Sequence, residues 1–166
     1  MEEVTRSIKL HYSKALVLRA VKAFWYRRLG WKFFAAFFIL SAGLVFLLWG
    51  GDRSWVAGLF GAGLGFELLM AVVIYVSHRR AALAKYRRMR TPEATLELTG
   101  ESIRMISDAD GSGLAWSTVT ELWSFSEFWL IFFSRGQFIT LPTADLDAAS
   151  REFIVAQIKA NGGKVV

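Results

Sequence analysis

Two long apolar segments separated by a short polar turn dominate the pattern of the chain. Residues 33–51 contain no charged side chain, and residues 54–77 contain only one, Glu67. At about 1.5 Å per residue, each segment is long enough as a helix to cross the roughly 30 Å hydrocarbon core of a bilayer. The sequence GGDRS at their junction leaves room only for a tight turn. The pattern therefore predicts a two-helix transmembrane hairpin.

The charged residues that flank the two segments predict the orientation of the hairpin. Basic residues are frequent before the first span and after the second, whereas the turn carries only Arg53, beside Asp52. The positive-inside rule therefore places both termini in the cytoplasm. Six basic residues after the second span are candidates for binding anionic lipid headgroups, or alternatively only determine topology: Arg79, Arg80, Lys85, Arg87, Arg88 and Arg90.

One acidic residue interrupts the second span. Glu67 lies near its centre, and in an antiparallel hairpin we expect it to be level with Ser41, the hydroxyl of the first span. The surrounding Leu, Ile, Phe and Val residues offset the cost of inserting a central acid, which is about 3 kcal/mol. Two interpretations remain open. Glu67 is a protonated carboxyl, hydrogen-bonded to Ser41 or to backbone, that holds the hairpin together, or it is a functional acid at an oligomer interface or along a polar path.

Small residues recur at every fourth position of the second span. Ala57, Gly61 and Gly65 have the spacing that lets two transmembrane helices approach closely. This face either packs on the first span, which also contains small residues, or mediates self-association. A dinucleotide-binding glycine loop is not indicated, because no strand precedes these glycines.

The N-terminal residues 1–30 are predicted to form a strand followed by an interfacial helix. The sequence SIKLHYS alternates apolar and polar residues, as a half-buried strand does. Ser13 can cap a helix over residues 14–29, whose apolar stripe and basic residues suit a membrane surface. The hairpin then occupies residues 31–78, and a basic juxtamembrane helix and linker follow at 79–92.

The period of the pattern changes from helical to strand-like after the linker. The segments ATLELTG, ESIRMIS, LAWSTVTELWSF, FWLIFFS and QFITLP read as strands, joined by turns that include DADGSG and residues 134–136. A helix is predicted from about residue 145 to 160, where an Asn-Gly-Gly sequence ends it. Residues 93–166 are thus predicted to form a small, partly open barrel capped by a C-terminal helix.

The strand FWLIFFS is apolar on both of its faces. One face must fill the domain core, and the other must meet the helix, the membrane or a partner. Trp123, Phe125 and Trp129 are therefore candidates for a partner-binding surface, with core packing as the alternative. A strand around residues 8–12 would add to the same sheet and join both cytoplasmic segments into one unit.

The composition is that of a membrane protein rather than of a soluble domain. Apolar residues make up 54% of the chain and the mean hydropathy is +0.37, yet the sequence pI is about 9.9. Residues 1–90 contain 15 Lys and Arg against 4 Asp and Glu, whereas residues 91–166 contain 5 against 10. The acidic C-terminal half would repel nucleic acid. The absence of cysteine excludes disulfides and thiolate metal sites.

Four features of the C-terminal segment form a recognisable combination: LELTGESIRM, Trp116 with the STVTEL that follows it, the aromatic strand, and a hairpin closing on Leu141-Pro142. In these features the segment resembles the YcxB-like family of small bacterial membrane proteins. The resemblance implies a pleckstrin-homology-like domain in a protein of the bacterial inner membrane. The fold class expected is therefore an α+β membrane protein, with a transmembrane hairpin and a small cytoplasmic β-domain. The family supplies no established activity or site residues.

The sequence contains no recognised catalytic motif. His11 and His78 lack metal-ligand spacing, and the DADG at 108–111 lacks the later ligands of a calcium loop. We therefore expect neither enzyme activity nor a cofactor or metal.

Two functions remain open. The first is a membrane-anchored binding or regulatory protein, of an accessory or immunity type. It would present its domain to a protein partner or to lipid headgroups. The second is a small oligomeric channel or transport component that uses Glu67 and the glycine face.

Overall fold

The computed structural model describes residues 6–108, 111–134 and 137–166. These residues form an α+β structure that divides into two compact units. The domain unit contains the described residues up to Ala20 together with Ala82–Val166, and the hairpin unit is Val21–Ala81. Each unit is described by itself.

Three α-helices are present in the described chain: α1 (Lys14–Trp49), α2 (Trp55–Arg88) and α3 (Ala148–Ala160). Ser13 begins α1 as predicted, because its Oγ accepts a hydrogen bond from the Leu16 N–H at 3.1 Å. Both α1 and α2 are long and apolar enough to cross a membrane. Each continues beyond the predicted span into the basic segment that flanks it.

A glycine interrupts α1 where the predicted interfacial helix meets the first span. Gly30 has φ 66° and ψ 173°, which is not helical. This combination of dihedral angles is essentially restricted to glycine, because a Cβ would collide with the backbone. The two segments of α1 are therefore joined by a kink that depends on a single residue.

Replacing Gly30 by Ala is expected to destabilise the hairpin unit by about 1–3 kcal/mol, the usual cost of holding a side chain in such a conformation. Gly58→Ala is the matched control, since Gly58 lies within α2 and a Cβ there would meet nothing within 4 Å. Thermal unfolding in detergent would measure both variants. Equal midpoints for the two would show that the kink does not need glycine.

Among the residues that the structure describes, eight strands form two four-stranded sheets, of order β1-β2-β3-β4 and β7-β6-β5-β8. The strands are β1 (Arg6–His11), β2 (Glu93–Leu98), β3 (Ser102–Ile106), β4 (Gly111–Ala115), β5 (Glu121–Ser124), β6 (Phe128–Ser134), β7 (Gln137–Pro142) and β8 (Lys164–Val165). All neighbouring pairs are antiparallel except β5 and β8, which are parallel.

Two details differ from the predicted strands. The segment LAWSTVTELWSF is not one strand, because a 3₁₀ turn at Trp116–Thr118 separates β4 from β5. The short strand β8 was not predicted at all. The predicted turns at DADGSG and at residues 134–136 lie partly outside the described residues.

The N-terminal strand is part of the first sheet. β1 pairs with β2 over its whole length, from Arg6 opposite Leu98 to His11 opposite Glu93. Leu10 is fully buried in the core of the domain unit. The predicted addition of this strand to the sheet that follows the hairpin is thus confirmed within the domain unit.

The core of the domain unit lies between the two sheets and α3. Trp116 is 1% exposed, and its indole N–H donates to the Thr99 carbonyl at 3.0 Å. Its ring meets Phe153 of α3 edge-on, with centroids 6.3 Å apart. Ile154 and Ile158 complete the apolar side of α3 and are fully buried. This helix covers the core as a predicted capping helix should.

Asp147 caps the start of α3. The Asp147 Oδ1 accepts a hydrogen bond from the Ser150 N–H at 2.7 Å. Hydrogen bonds from the side chain and backbone of Ser150 lower the pKa of Asp147. Because the folded-state pKa lies below the unfolded one, the cap stabilises above the ordinary pKa of Asp, about 4. That stabilisation is lost as the pH falls through the folded value.

Asp147→Ala is therefore expected to lower the melting temperature at pH 7 and to have little effect near pH 2. Asp147→Asn should lose less at pH 7, because an amide oxygen still caps the helix. Thermal unfolding followed by circular dichroism at both pH values would measure this difference. An equal loss at both pH values would contradict the role of the carboxylate as cap.

Candidate functional site

The strand β1 is held at both ends by residues between β7 and β8. At its start, the Arg6 Nη1 donates to the Ser150 Oγ at 3.3 Å, and the guanidinium lies 6.0 Å from the centre of the Phe153 ring. At its end, the His11 N–H donates to the Asp145 Oδ2 at 2.7 Å, and the His11 Nδ1 lies 3.1 Å from Oδ1. No sequence motif signals these contacts, since the partners lie more than 130 residues apart.

Tyr12, just after β1, connects the two sheets. Its hydroxyl donates to the Thr140 carbonyl of β7 at 2.8 Å and lies 3.6 Å from the Met105 Sδ of β3. Burial, with the negative charge of Asp145 added, raises the pKa of Tyr12. The phenol therefore keeps its proton and its hydrogen bond at neutral pH.

The chain leaves the first sheet after β1 and returns to it at β2, and these two points are hydrogen-bonded to each other. The Tyr12 N–H donates to the Pro92 carbonyl at 2.7 Å. The Asp108 Oδ2 accepts from the N–H groups of Arg90 and Thr91 at 2.9 and 3.1 Å. The predicted linker at 79–92 is therefore helical to Arg88 and then fixed by Asp108. The start of α1 and the end of α2 are brought together by these bonds.

The six candidate headgroup-binding residues are exposed side chains at the end of α2 and just beyond it. In the part of the chain that the structure describes, the ion pairs are Arg6–Asp147, His11–Asp145, Arg19–Glu127 and Arg104–Glu97. None of the six basic residues belongs to these pairs. Their positive charge is thus available to an anion, and lipid binding stays a prediction.

The apolar stripe of the predicted interfacial helix is covered by protein. Ala20, Val21 and Phe24 are at most 2% exposed. The Phe24 ring lies 4.7 Å from the ring of His78. The exposed side chains of residues 14–29 are mostly basic, and Tyr26 is 59% exposed among them.

The two helices of the hairpin unit pack antiparallel. The Trp25 indole N–H donates to the Ala71 carbonyl at 2.8 Å, at the end of the hairpin away from the turn. Nearer the turn, Phe60 lies directly over Gly43, where a Cβ could not be accommodated. These contacts, which the sequence did not single out, define the face of α2 that meets α1.

Glu67 lies on that face. It follows Phe60 by seven residues and precedes Ala71 by four, so all three share one side of the helix. Its Oε2 is buried and has no hydrogen-bond partner among the described residues. The carboxyl is therefore enclosed by the hairpin, as the interpretation of a structural residue expects, but it does not receive the expected hydrogen bond at this oxygen.

The register of the hairpin separates Glu67 from Ser41. A Cβ on Gly63 would lie 3.6 Å from the Leu40 side chain, and Phe60 covers Gly43. In both pairs the two residue numbers add up to 103, so each residue of α1 is level with the residue of α2 that completes this sum. Glu67 is then level with residue 36, in the apolar sequence FFAAFFIL. Ser41 lies about 7.5 Å further along α1, at five residues of 1.5 Å each. The expectation that the two side chains are level is wrong.

The small residues of α2 do not form one packing face. Ala57 is buried, whereas a Cβ on Gly61 or Gly65 would meet nothing within 4 Å. At 100° per residue, Gly61 and Gly65 point about 120° and 160° away from Glu67. Close packing inside the hairpin depends on Gly43 instead, and the two glycines face away from the carboxyl.

Glu67→Leu is expected to stabilise the hairpin unit by about 1–3 kcal/mol, because it removes a buried oxygen without a partner. Ser41→Ala is the control and should change little, since Ser41 is at a different level. Unfolding in a graded series of denaturing detergent would measure both. A loss of stability in Glu67→Leu would show that the carboxyl has a favourable partner in the membrane.

The proposed aromatic surface is mostly interior. Trp123 and Trp129 are each 8% exposed, and Trp129 belongs to the core cluster between the sheets. The Trp123 ring packs on Phe132 with centroids 4.4 Å apart, and its N–H donates to the Glu121 Oε2 at 2.9 Å. Only Phe125 is half-exposed. Trp123 and Trp129 are therefore buried, as the alternative of core packing expects, and a partner surface at these residues stays a prediction.

Comparison with known proteins gives one match. Residues 98–158 match the family model described as YcxB-like protein. The resemblance predicted from the sequence is thus confirmed over this segment, which lies within the domain unit. No curated protein and no solved structure matches the chain significantly.

Proposed function

We propose that this chain is a membrane-anchored, non-enzymatic binding protein of the bacterial inner membrane. Its hairpin spans the bilayer, and its pleckstrin-homology-like domain engages a protein partner, with anionic headgroups as a second ligand. The observation that carries the proposal is the pairing of β1 with β2, which closes one folded domain from chain on both sides of the hairpin. Such a protein acts by holding a binding domain at the membrane.

Exposed apolar surface supports insertion into a bilayer. Phe38 and Phe46 are 74% and 79% exposed, and both lie in the part of α1 that contains no charged residue, residues 33–49. A surface of this kind is not stable in water and needs lipid or a partner. Trp49 and Trp55, at the turn, are 88% and 79% exposed, as expected for aromatic residues at a headgroup boundary.

The pairing of Tyr12 with Pro92 supports the orientation. Tyr12 lies just before α1 and Pro92 just after α2. Because these two residues are hydrogen-bonded, the start of α1 and the end of α2 must lie on the same side of any bilayer that both helices cross. That side carries most of the basic residues, whereas the turn carries Arg53 next to Asp52. The positive-inside rule then assigns the domain to the cytoplasm.

The order of strands supports the fold proposed for the domain. Two four-stranded, mainly antiparallel sheets enclose a core that a C-terminal helix closes. This is the outline of a pleckstrin-homology-like barrel. Domains of this outline present binding surfaces on a rigid frame, which suits an accessory or immunity-type protein.

The geometry gives less support to a channel. That function needs Glu67 and the glycine face on one conducting interface. Glu67 instead faces α1, and Gly61 and Gly65 point away from it. We therefore do not propose conduction as the function.

Cysteine labelling in intact cells tests the topology, because the chain has no cysteine of its own. Arg53→Cys is expected to react with a membrane-impermeant maleimide from outside. Lys85→Cys, which is equally exposed, should react only after permeabilisation. The reverse pattern, or labelling of both from outside, would overturn the proposed orientation.

Capture from native membranes after cross-linking tests the binding function. The full chain should retain a partner that a hairpin-only chain of residues 14–90 does not retain. Mixed vesicles with and without anionic lipid would test the headgroups, using a variant with Lys85, Arg87, Arg88 and Arg90 all changed to Gln. Retention of the same proteins by the hairpin alone would contradict a role for the domain.

A further inference from the structure

The two helices of the hairpin reach their first cytoplasmic basic residue at different depths. On α1 this residue is Lys32, which lies 17 residues from Trp49 at the turn, or about 25 Å along the helix. On α2 it is Arg79, which lies 24 residues from Trp55 at the turn, or about 36 Å. Because the hydrocarbon core of a bilayer is about 30 Å thick, Arg79 clears the core, whereas Lys32 lies at its inner boundary.

The register of the hairpin gives the same depth for Lys32. Residue numbers at one level add up to 103, so Lys32 is level with Ala71. Just beyond that level, α2 exposes Val72 and Val73, by 56% and 45%, and Arg79 follows only about 12 Å further along the helix. The Lys32 side chain is exposed, so this cation lies where the neighbouring helix presents aliphatic side chains.

Arg28 adds a second cation close to this level. The rings of Phe24 and His78 lie 4.7 Å apart, so these two residues are level with each other. Arg28 follows Phe24 by four residues and therefore lies about 6 Å nearer the centre of the bilayer. Its side chain is exposed as well. Arg28 and Lys32 thus lie on the two sides of the α1 kink, both deeper than the basic residues at the end of α2.

The described residues supply no anion to these two cations. Within the described ranges, neither Arg28 nor Lys32 takes part in an ion pair or a side-chain hydrogen bond. Glu67, about one turn deeper than Lys32, belongs to none of these ion pairs either. A cation at the edge of the hydrocarbon needs a counter-ion, because leaving water without one is costly. In a bilayer, the phosphate groups of the lipids lie at this depth.

Exposed aromatic side chains accompany the two cations. Trp31 is 76% exposed and Tyr26 is 59% exposed, and the Tyr26 ring lies 5.2 Å from the Phe34 ring. Trp and Tyr favour the boundary between headgroups and hydrocarbon, because each has an apolar body and a polar end. Residues 26–32, called the kink segment below, thus combine cations for a phosphate with aromatic rings for the adjoining glycerol region.

We propose that the kink segment binds an anionic phospholipid, with Lys32 and Arg28 on its phosphate. A zwitterionic lipid is the weaker ligand, because its own ammonium group already balances the phosphate charge. The inference rests on the proposed membrane insertion of the hairpin. It assigns the headgroup ligand to two residues of α1 rather than to the basic residues at the end of α2.

Native mass spectrometry of the full chain in detergent tests the site. The probe is an equimolar mixture of phosphatidylglycerol and phosphatidylcholine with identical acyl chains. The unmodified chain is expected to retain phosphatidylglycerol about ten-fold more than phosphatidylcholine, since each basic residue near the surface contributes about a factor of five. Arg28→Gln combined with Lys32→Gln should bring this ratio close to one. Arg79→Gln combined with Arg80→Gln removes the same charge from α2, is the matched control, and should leave most of the preference.

Arg28→Lys combined with Lys32→Arg keeps both charges and should keep the preference for phosphatidylglycerol. Near-ultraviolet circular dichroism shows that each variant is folded. Should the double Gln variant not fold, the two single Gln variants are compared, and each is expected to lose part of the preference. Excess inorganic phosphate should leave the ratio unchanged, because the site lies at the depth of a lipid phosphate.

Four results would overturn the proposal: no preference in the unmodified chain, an unchanged ratio without the two charges of the kink segment, an equal loss in the α2 control, or loss of the preference in inorganic phosphate. The topology experiment labels Arg53→Cys and Lys85→Cys, which lie outside the kink segment. The expected labelling pattern together with any of these four results would therefore remove this site and leave the membrane-anchored function standing.

Discussion

Replacing residues 6–13 by a flexible Gly-Ser segment is expected to unfold the domain unit, although the whole hairpin separates these residues from β2 in sequence. Leu10 is fully buried, and truncating such a leucine alone costs about 2–5 kcal/mol. The replacement also removes Tyr12 and leaves β2 as an open edge. Together these losses approach the 5–15 kcal/mol that stabilises a typical domain.

Limited proteolysis and near-ultraviolet circular dichroism of the purified chain would show this loss. Lys9→Ala is the matched control, because Lys9 is exposed on the same strand and its replacement should leave the domain folded. The hairpin should still insert into membranes, since its apolar helices are unchanged. A protease-resistant domain in the replaced chain would contradict the structural role of β1.

A shortened chain offers the converse experiment. His11 lies opposite Glu93, so residues 6–13 can be joined to residues 91–166 by a hairpin turn of about 2–5 residues. This chain is expected to be folded and soluble, whereas residues 91–166 alone should not fold. Equal folding of the two would show that β1 adds nothing to the sheet.

The parts of the fold that could be predicted from the sequence are those with local causes. An uncharged run of apolar residues requires a long helix wherever it is placed, and alternation requires a strand. Both signals were read correctly for α1, α2 and most strands. The family match covers residues 98–158, which include β3 to β7.

The contacts that complete the structure join residues far apart in the chain, so no local pattern shows them. Asp145 accepts a hydrogen bond from the His11 N–H, 134 residues before it in the chain. The strand β8 has only two residues, and both side chains are exposed. An alternation of apolar and polar residues can be recognised only over a longer segment. The contact of Phe60 with Gly43 depends on the register of the two hairpin helices. The same register places Glu67 away from Ser41.

The strand β6 is apolar on both faces, so the sequence did not show which face lies in the core. Periodicity tells which side chains share a face, but not what covers each face. Both faces of β6 are buried: Leu130 and Ile131, which point in opposite directions, are each fully enclosed. Trp129 therefore could be assigned to the core only from the structure.

Trp129→Glu is accordingly expected to unfold the domain unit rather than to abolish partner binding in a folded protein. Trp129 is opposite Leu141 of β7 and lies in the cluster that fills the space between the sheets. Removing a large buried aromatic side chain costs about 3–5 kcal/mol. The introduced carboxylate adds the cost of burying a charge without a partner.

Phe125→Glu also replaces an aromatic side chain by a carboxylate, at a half-exposed residue just after β5, and is the matched control. The Phe125 ring contacts Phe128 at 5.0 Å between centroids, so some stability is lost, but the new carboxylate remains in water. Thermal unfolding followed by tryptophan fluorescence should show no cooperative transition for Trp129→Glu and a modestly lowered midpoint for Phe125→Glu. If both variants melted within a few degrees of the unmodified chain, the indole of Trp129 would have to be accessible to water. Phe125→Glu is then the variant to use when partner capture is compared between folded proteins, because a loss of capture by an unfolded one says nothing about a surface.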